Sequence, residues 1–275
     1  MIIKKQLKWL YTRIPLKREI FTLLRSVIKP DPDIYRHLHF KSAFRVRMDD
    51  GRKFWLHNGD EIENEIFWEG LLGKWEKESV KLWIRLCEDA NCIFDIGANS
   101  GVYSLLAKTV KPDAKVFAFE PHPVIFANLI KNVAINNYDI TCINRAVSDI
   151  DGRLLVPDYS GQSTGVMVDA IRLDTFINQN NLGKVDLLKI DVETHEPAVM
   201  EGFKYYLSRF KPAILIEILS DDIADRICEI VGGYGYLYFN IDERGGIRQT
   251  VRIEKSDYYN YLLCDNKTAS RLGLV

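Results

Sequence analysis

Short apolar runs alternate with amphipathic segments from about residue 91 to the end of the chain. Runs at 92–96, 115–120, 185–191 and 213–218 are strand-length, and apolar residues at helical spacing follow each of them. Strands that are apolar on both faces and alternate with helices are typical of a mostly parallel sheet covered on both sides. The pattern therefore predicts a doubly wound α/β domain over residues 90–275. Its predicted helices are 101–110, 123–136, 195–208 and 221–231.

Residues 1–89 follow a different pattern and predict an N-terminal extension. The stretch 40–57 has two β-rich runs on either side of Asp49-Asp50-Gly51 and predicts a hairpin. Residues 61–89 have helical spacing that Gly70 and Gly73 interrupt.

Residues 1–29 are basic and amphipathic, with eight lysines and arginines against one acidic residue, Glu19. Pro15 predicts a break between two helices. Such helices either form a cap that docks on the main domain through its apolar stripe, or lie on an anionic membrane surface. Docking is favoured because it is the commoner arrangement, and peripheral contact with the inner membrane face is the alternative.

Composition narrows the class of protein. The chain is 47% hydrophobic and 27% charged with a formal net charge of −1, which is typical of a soluble globular protein and disfavours nucleic acid as the partner. Five irregularly spaced cysteines without a CxxC pair argue against a disulfide framework or a zinc site, and favour a reducing cytoplasm. No apolar stretch is long enough to span a bilayer, and no secretory signal is evident.

A glycine loop follows the first strand of the α/β domain, with the sequence Asp95-Ile96-Gly97-Ala98-Asn99-Ser100-Gly101. A glycine loop that opens a helix lets backbone N–H groups approach an anion such as a phosphate or carboxylate. Asn99 stands where a dinucleotide fingerprint has its second glycine, and Asp95 suits an amino group better than a pyrophosphate.

Glu120 ends the next predicted strand, about twenty residues after the loop. A carboxylate at this position can bind both ribose hydroxyls of a nucleotide cofactor. NAD and S-adenosylmethionine share that ribose, so Asp95 and Asn99 rather than Glu120 discriminate between them. They favour S-adenosylmethionine and leave a nicotinamide-dependent oxidoreductase as the alternative.

Several segments in order resemble the FkbM-type methyltransferases over roughly residues 90–220. They read FDIGANSGVYSLLAK, FAFEPHPVIFANLIKNVAINN, NRAVSD, AIRLDTF, DLLKIDVETHEPAVMEGF and PAILIEI. The resemblance implies a Rossmann-like fold of the class I methyltransferase type. It also implies S-adenosylmethionine-dependent O-methylation of a hydroxyl on a sugar, a glycan or a polyhydroxylated natural product.

The same resemblance implies which residues bind the cofactor. They are Asp95, Gly97, Asn99, Gly101, Glu120 and Asp191, with Ala146 and Ser148 near the adenine. One departure stands out: the family usually reads Asp-x-Glu-Gly-x-Glu after its fourth strand, and here Thr194 replaces the glycine with His195 beside it. This departure is the main support for a third hypothesis, a cofactor-binding module without catalysis.

The same stretch supplies the candidate catalytic residues His195, Asp191 and Glu193. Methyl transfer requires alignment of donor and acceptor, and a base helps a hydroxyl to react. His195 titrates nearest neutrality and is the first candidate for the base. A divalent metal held by Asp191, Glu193 and Glu217 is an alternative that is not favoured, because no aspartate-rich run supports it.

Two further features remain to be placed. Lys189 lies inside an apolar strand, which predicts pairing with a site carboxylate. The insertion at 150–172, which includes Tyr159, predicts a hairpin or loop that contributes to the acceptor pocket.

Overall fold

The computed structural model describes residues 15–158 and 165–275 and divides the chain into two compact units, Met1–Trp75 and Glu76–Val275. Sequence analysis instead places the boundary after residue 89. The helix Lys77–Cys87 accounts for the difference, because it packs on elements of the second unit. Glu243 from the far end of that unit accepts hydrogen bonds from the N–H groups of Glu78 and Ser79, and so caps this helix.

The first unit is built around a cluster of buried aromatic side chains. Its elements are α1 (Lys17–Val27), α2 (Pro32–Tyr35), β1 (Ala43–Arg47), β2 (Lys53–His57) and α3 (Glu61–Glu69). The hairpin predicted at 40–57 is confirmed, because β1 and β2 pair antiparallel. Phe21 of α1 packs on Phe40 and Trp68, and Phe67 lies edge-on to both of those rings. One face of α1 thus packs on other elements of the first unit.

The second unit alternates strands and helices. In chain order its elements are α4 (Lys77–Cys87), β3 (Cys92–Ile96), α5 (Val102–Val110), β4 (Lys115–Phe119), α6 (Pro123–Asn136), β5 (Ile140–Ile143), β6 (Ala146–Val147), β7 (Gly152–Val156), β8 (Val166–Ile171), α7 (Leu173–Gln179), β9 (Leu187–Ile190), α8 (Glu196–Gly202), α9 (Lys204–Phe210), β10 (Ala213–Glu217), α10 (Asp221–Val231), β11 (Leu237–Asp242), β12 (Gly246–Thr250), β13 (Asn260–Cys264) and α11 (Asn266–Arg271).

Eight of these strands form one sheet in the order β12-β11-β13-β10-β9-β3-β4-β5. The five strands from β10 to β5 are parallel, and the three at the other edge pair antiparallel. This confirms the predicted mostly parallel α/β sheet. Strands β3 and β9 are neighbours in the sheet although they are far apart in sequence, so the chain reverses its winding direction between them. In sheets of this kind, ligands bind beyond the strand ends at such a point.

The sheet is covered on both faces. Phe94, Leu188 and Ile214 belong to one buried cluster with residues of α7, α8, α9 and α10. The alternate residue Asp95 instead bonds to Ser104 of α5, and α5 packs with α4. Burial on both faces explains why the central strands are apolar except at Asp95 and Lys189.

The structure differs from the sequence expectations at a few places. The stretch 140–147 contributes to two sheets, because β5 ends at Ile143 and β6 joins β8 and β7 in a separate three-stranded sheet. The predicted helix 195–208 is two short helices, α8 and α9. The predicted hairpin at 150–172 is present as β7 and β8, while Tyr159 lies outside the described residues. The strand β12 and the helix α11 have no counterpart in the sequence prediction.

No helix within residues 15–158 and 165–275 is both long and apolar enough to span a membrane.

Candidate active site

The loop after β3 is held against the neighbouring strands. The N–H groups of Gly97 and Ala98 both donate to the carbonyl of Phe119, at 3.0 and 2.9 Å. Gly97 has φ of 78°, and a Cβ added there would lie 1.8 Å from the carbonyl oxygen of Asp191. Sequence analysis attributes this glycine to close approach of a ligand. The structure adds a stronger reason, because Gly97 lets two strand ends of the protein itself meet.

Gly101 has a backbone conformation that favours glycine and packs closely on α6. It has φ of 92°, and an added Cβ would lie 2.5 Å from Cδ1 of Leu129 on α6. Asn99 also has a positive φ, 50°, which asparagine tolerates better than most residues. The predicted glycine loop thus has the left-handed backbone at three of its positions.

Asp95 is buried behind the loop rather than facing it. Ser104 Oγ donates to Asp95 Oδ2 at 2.5 Å. Burial raises the pKa of Asp95 to about 6, although the hydrogen bond from Ser104 and the charge of Lys189 oppose the shift.

Glu120 follows directly after β4, and its carboxylate binds the loop. Its two oxygens accept the backbone N–H groups of Asn99 at 3.0 Å and of His122 at 2.8 Å. Burial raises the pKa of Glu120 to about 7 against these two hydrogen bonds. The carboxylate that sequence analysis assigns to a ribose therefore lies against the glycine loop and keeps lone pairs for further donors.

Ser148, which follows β6 of the small sheet, contacts His195, which directly precedes α8. Ser148 Oγ lies 3.0 Å from both Asp149 Oδ1 and His195 Nε2. The hydroxyl has one hydrogen, which it donates to the Asp149 carboxylate, so His195 Nε2 must carry a hydrogen and donate to Ser148. Burial lowers the pKa of His195, and only the charge of Asp149 opposes this. Ala146 is buried in β6.

Asp191 follows β9 and pairs with the buried lysine of that strand. Lys189 Nζ donates to Asp191 Oδ2 at 3.0 Å and lies 5.0 Å from the centroid of the Tyr103 ring. Burial lowers the pKa of Lys189, but the charges of Asp191 and Glu76 outweigh it and the net shift is upward. The predicted pairing of Lys189 with a site carboxylate is confirmed.

The loop after Asp191 has an unusual backbone. Glu193 and Thr194 both have positive φ, 53° and 80°, and both side chains are exposed. A β-branched residue in this region is rare, which explains why a glycine suits the position of Thr194 in the family that the chain resembles. Glu196 Oε1 accepts the N–H groups of Val192 and Thr194, both at 3.2 Å, and so fixes the loop.

A second group of polar residues lies across Asp191 from the glycine loop. Glu217 ends β10, and Asn260 is its register partner on β13. Asn260 Nδ2 donates to Glu76 Oε1 at 3.1 Å, and Tyr103 Oη donates to Glu76 Oε2 at 2.6 Å. The sequence suggests Glu217 as a possible metal ligand and does not identify Glu76, Tyr103 or Asn260. Only an asparagine opening the apolar run NYLLC could have signalled the last of these.

The carboxylates of this edge influence one another. Burial raises the pKa of Glu217 to about 8, and the charge of Asp191 adds to the shift while Lys189 opposes it. The charge of Asp191 also acts on Asp95 and Glu120. Asp191 is therefore close enough to couple electrostatically with the loop on one side and with Glu217 on the other. Among the described residues, no group of three or more His, Cys, Asp or Glu is arranged to hold a metal ion.

The raised acid pKa values predict how stability depends on pH. Asp95, Glu120 and Glu217 bind protons more tightly in the folded chain than in the unfolded one. Their contribution is therefore fully present below about pH 4 and is lost as pH rises through 6 to 8. We expect the unfolding temperature of the ligand-free protein to fall between pH 5.5 and pH 8.5 in differential scanning calorimetry.

The Glu217→Gln variant provides the test of that assignment. It should show a smaller fall in unfolding temperature over the same pH range, whereas the matched change at exposed Glu229 should leave the wild-type profile intact. An unfolding temperature that rises with pH in the wild-type protein would contradict the assignment.

The comparisons with known proteins agree on one family. The methyltransferase FkbM domain matches residues 95–238, about half of the chain. The hexuronic acid methyltransferase AglP of Haloferax volcanii is 24% identical over 136 residues, which cover 46% of this chain and 56% of that protein. The 31-O-demethyl-FK506 methyltransferase FkbM of Streptomyces tacrolimicus is 28% identical over 151 residues, which cover 40% of this chain and 58% of that protein.

The chain spans little more than half the length of these curated relatives. Among solved structures, the crystal structure of methyltransferase FkbM from Methylobacillus flagellatus aligns with a TM-score of 0.45 at 18% identity. That alignment covers 64% of this chain and 44% of the other.

Proposed function

The chain belongs to the methyltransferase FkbM domain family, and on that premise we propose that it transfers a methyl group from S-adenosylmethionine to a hydroxyl oxygen of a sugar, a glycan or another polyhydroxylated molecule. The family match decides against the nicotinamide-dependent oxidoreductase. The convergence of Glu120, the glycine loop and Asp191 at one edge of the sheet is the observation that carries the proposal. The two relatives described above support the acceptor class, since one is named for a hexuronic acid and the other for an O-demethylated substrate.

The donor end fits the residues present. Glu120 is a buried carboxylate beside the N-terminus of α5 and has lone pairs for ribose hydroxyls. The backbone N–H groups at the start of α5 favour a carboxylate such as that of the methionine moiety. S-adenosylmethionine, when bound, supplies a methyl group that is already activated on a sulfonium. The remaining task of the protein is to align the acceptor and take up its proton.

Asp191 is our candidate for the acceptor's proton. Its side chain is one-third exposed, so an acceptor hydroxyl can reach it, and Lys189 holds it in place from behind. In the proposed step the hydroxyl oxygen forms a bond to the methyl carbon and the bond from that carbon to sulfur breaks. The hydroxyl proton passes to the Asp191 carboxylate and from there to solvent.

His195, the first candidate from the sequence, is assigned a different role here. With Nε2 donating to Ser148, only Nδ1 is left to accept a proton, and Ser148 fixes the orientation of the ring. Ser148 is a predicted adenine contact, and we therefore propose that His195 positions the donor-binding edge through Ser148. Glu193 is exposed and stays a secondary candidate for contact with the acceptor.

Calorimetric titration with S-adenosylhomocysteine tests the donor assignment directly. We expect micromolar binding, no binding of NAD, and affinity about 10- to 100-fold weaker in Glu120→Ala, which loses a charged hydrogen-bond acceptor. The matched control is Asp139→Ala, because Asp139 is an exposed carboxylate preceding β5, at the opposite edge of the sheet. Thermal unfolding of both variants shows whether they are folded.

Each other result has a clear meaning. Binding of NAD alone would overturn the assignment of the donor. Tight binding of S-adenosylhomocysteine without methyl transfer to any hydroxylated acceptor would favour the non-catalytic module.

For the first unit, we propose peripheral contact of α1 with an anionic membrane surface. Residues 1–14 lie outside the described part of the chain, so the proposal rests on α1 itself. Ile20, Leu23 and Val27 lie at helical spacing with 47%, 69% and 76% of their surface exposed, while Phe21 faces the core. An exposed apolar stripe on a helix with basic neighbours fits the interface of an anionic bilayer.

Sedimentation with anionic vesicles tests this surface. Changing Ile20, Leu23 and Val27 together to serine should weaken binding about tenfold or more, because each side chain loses apolar area that the bilayer would bury. Ile34→Ser, an equally exposed apolar position outside α1, should bind like the wild-type chain. Equal sedimentation of all three proteins would remove the basis for membrane contact.

A further inference from the structure

The polar group across Asp191 from the glycine loop has a feature that packing alone does not explain. Asn260 has only 6% of its surface exposed, is the register partner of Glu217 on the neighbouring strand, and directs its amide nitrogen to Glu76. The Asn260 Nδ2 group donates a hydrogen bond to Glu76, but the Asn260 Oδ1 atom is buried and has no hydrogen-bond partner. A buried acceptor without a donor costs free energy, so such an atom in a native site points to a missing donor.

The orientation of this amide is fixed by its neighbour. A reversed amide would place Oδ1 against the Glu76 carboxylate, where two acceptors would repel each other. Glu76 is itself fixed, because Tyr103 donates to its second oxygen. Tyr103 is held in turn by Trp83, whose ring lies edge-on to it at 5.3 Å. The position of the unsatisfied Asn260 Oδ1 atom is therefore fixed by this chain of contacts.

The charges around Asn260 are mostly negative. Asp191, Glu193 and Glu76 supply the negative charge, whereas Glu217 is largely protonated near neutral pH because burial raises its pKa to about 8. Lys189 is the cation that pairs with Asp191. Lys189 is engaged by Asp191 and the Tyr103 ring, so it faces carboxylate and ring rather than an incoming anion. The site offers several hydrogen-bond acceptors and a negative field, and this combination favours groups that donate hydrogen bonds.

We propose that Asn260, Glu217 and Glu76 form an acceptor subsite that binds hydroxyl or ammonium groups and rejects carboxylates and phosphates. The proposal rests on the methyltransferase function and specifies its acceptor. Asp191 lies between this subsite and the donor loop, so a hydroxyl held near Asn260 Oδ1 by one group can present its neighbour to Asp191. The acceptor is thus a neutral or amino-bearing polyol rather than an acidic one.

This selectivity separates the chain from one relative. A methyltransferase named for hexuronic acid acts on a sugar that carries a carboxylate. In this chain that carboxylate would meet the charges of Glu76 and Glu193, while Lys189 is already paired with Asp191, so like-charge repulsion would weaken its binding. We therefore expect preference for neutral and amino sugars over uronic acids.

Saturation-transfer NMR on the full chain with S-adenosylhomocysteine tests the subsite. The probes are the methyl glycosides of glucose, glucosamine and glucuronic acid, which share a ring and differ in charge. We expect the first two to bind at millimolar concentration, and the glucuronide to bind at least about tenfold more weakly. Equal or tighter binding of the glucuronide, or no binding of any of the three sugars, would overturn the proposal.

Two variants link the result to the named residues. Asn260→Leu removes the buried acceptor and should weaken binding of the glucoside about 2- to 10-fold, with the affinity for S-adenosylhomocysteine preserved. Glu217→Gln keeps the shape and should narrow the difference between glucoside and glucuronide above about pH 8.5, where the wild-type Glu217 carboxyl is ionised. If neither variant changes sugar binding, the subsite lies elsewhere.

The two proposals fail in different ways. If the wild-type chain does not bind S-adenosylhomocysteine, the methyltransferase assignment is wrong. Normal binding of S-adenosylhomocysteine together with a preference for the glucuronide is a failure of the subsite alone.

Discussion

Replacing Gly97 by alanine is expected to destabilise the second unit by at least about 3 kcal/mol and to abolish donor binding. An alanine Cβ would lie 1.8 Å from the Asp191 carbonyl, and the residue would also keep a φ of 78°. Because the Cβ is fixed by the backbone of residue 97 and meets backbone of Asp191, relief requires the ends of β3 and β9 to separate. That separation would move Asp191 away from the loop that carries the donor site. Chemical denaturation and calorimetric titration with S-adenosylhomocysteine measure the two effects.

Gly235→Ala is the matched control for this prediction. Gly235 has nearly the same φ, 76°, but an added Cβ there meets no atom within 4 Å. Its alanine variant should lose only the backbone term of about 1 kcal/mol and should bind S-adenosylhomocysteine normally. If the two variants lost equal stability, the contact with Asp191 would not be the reason for the glycine.

Replacing Asp191 by asparagine is expected to lower turnover about 100- to 10,000-fold while donor affinity changes little. Asparagine keeps the size of the side chain but cannot take a proton from the acceptor hydroxyl. It also removes the negative charge opposite Lys189, which the ring of Tyr103 and the charge of Glu76 still stabilise. Initial rates at saturating S-adenosylmethionine, with an acceptor that the wild-type chain methylates, measure the effect.

The comparison variants separate a base from a structural role. Asp186→Asn changes a carboxylate just before the same strand, where it accepts the N–H groups of Asn91 and Cys92, and it should retain turnover within about twofold. A parallel loss of donor affinity in Asp191→Asn would instead assign Asp191 to the donor's amino group. If His195→Gln removed turnover and Asp191→Asn did not, the proton acceptor would be His195.

The family, the α/β sheet and the order of its site residues follow from the sequence. Apolar runs of strand length between helical segments can be buried only between two helical layers, so β3, β4, β9 and β10 were predictable from the pattern. The positions of Asp95, Glu120 and Asp191 at strand ends follow from the same pattern. Parallel strands bring their carboxyl ends to one edge, which is why these three residues were expected to converge.

The contacts between side chains were decided by the tertiary structure. His195 stands two residues from Glu193 in sequence, yet the turn with positive φ at Glu193 and Thr194 places its ring on Ser148. Gly97 is required by the Asp191 carbonyl, which is far away in sequence. Local periodicity carries no information about such partners, because it reports which face a residue is on and not what it meets.

The subsite around Asn260 shows the same division most clearly. Its members come from the residue before α4, the end of β10 and the start of β13. These three stretches of sequence share no motif. Antiparallel pairing of β13 with β10 sets Asn260 opposite Glu217, and the docking of α4 brings Glu76 to the amide. The sequence by itself determined the fold, the family and the glycine loop, since these depend on local pattern. The acceptor side was decided only by the tertiary structure, because it depends on strand register and helix docking.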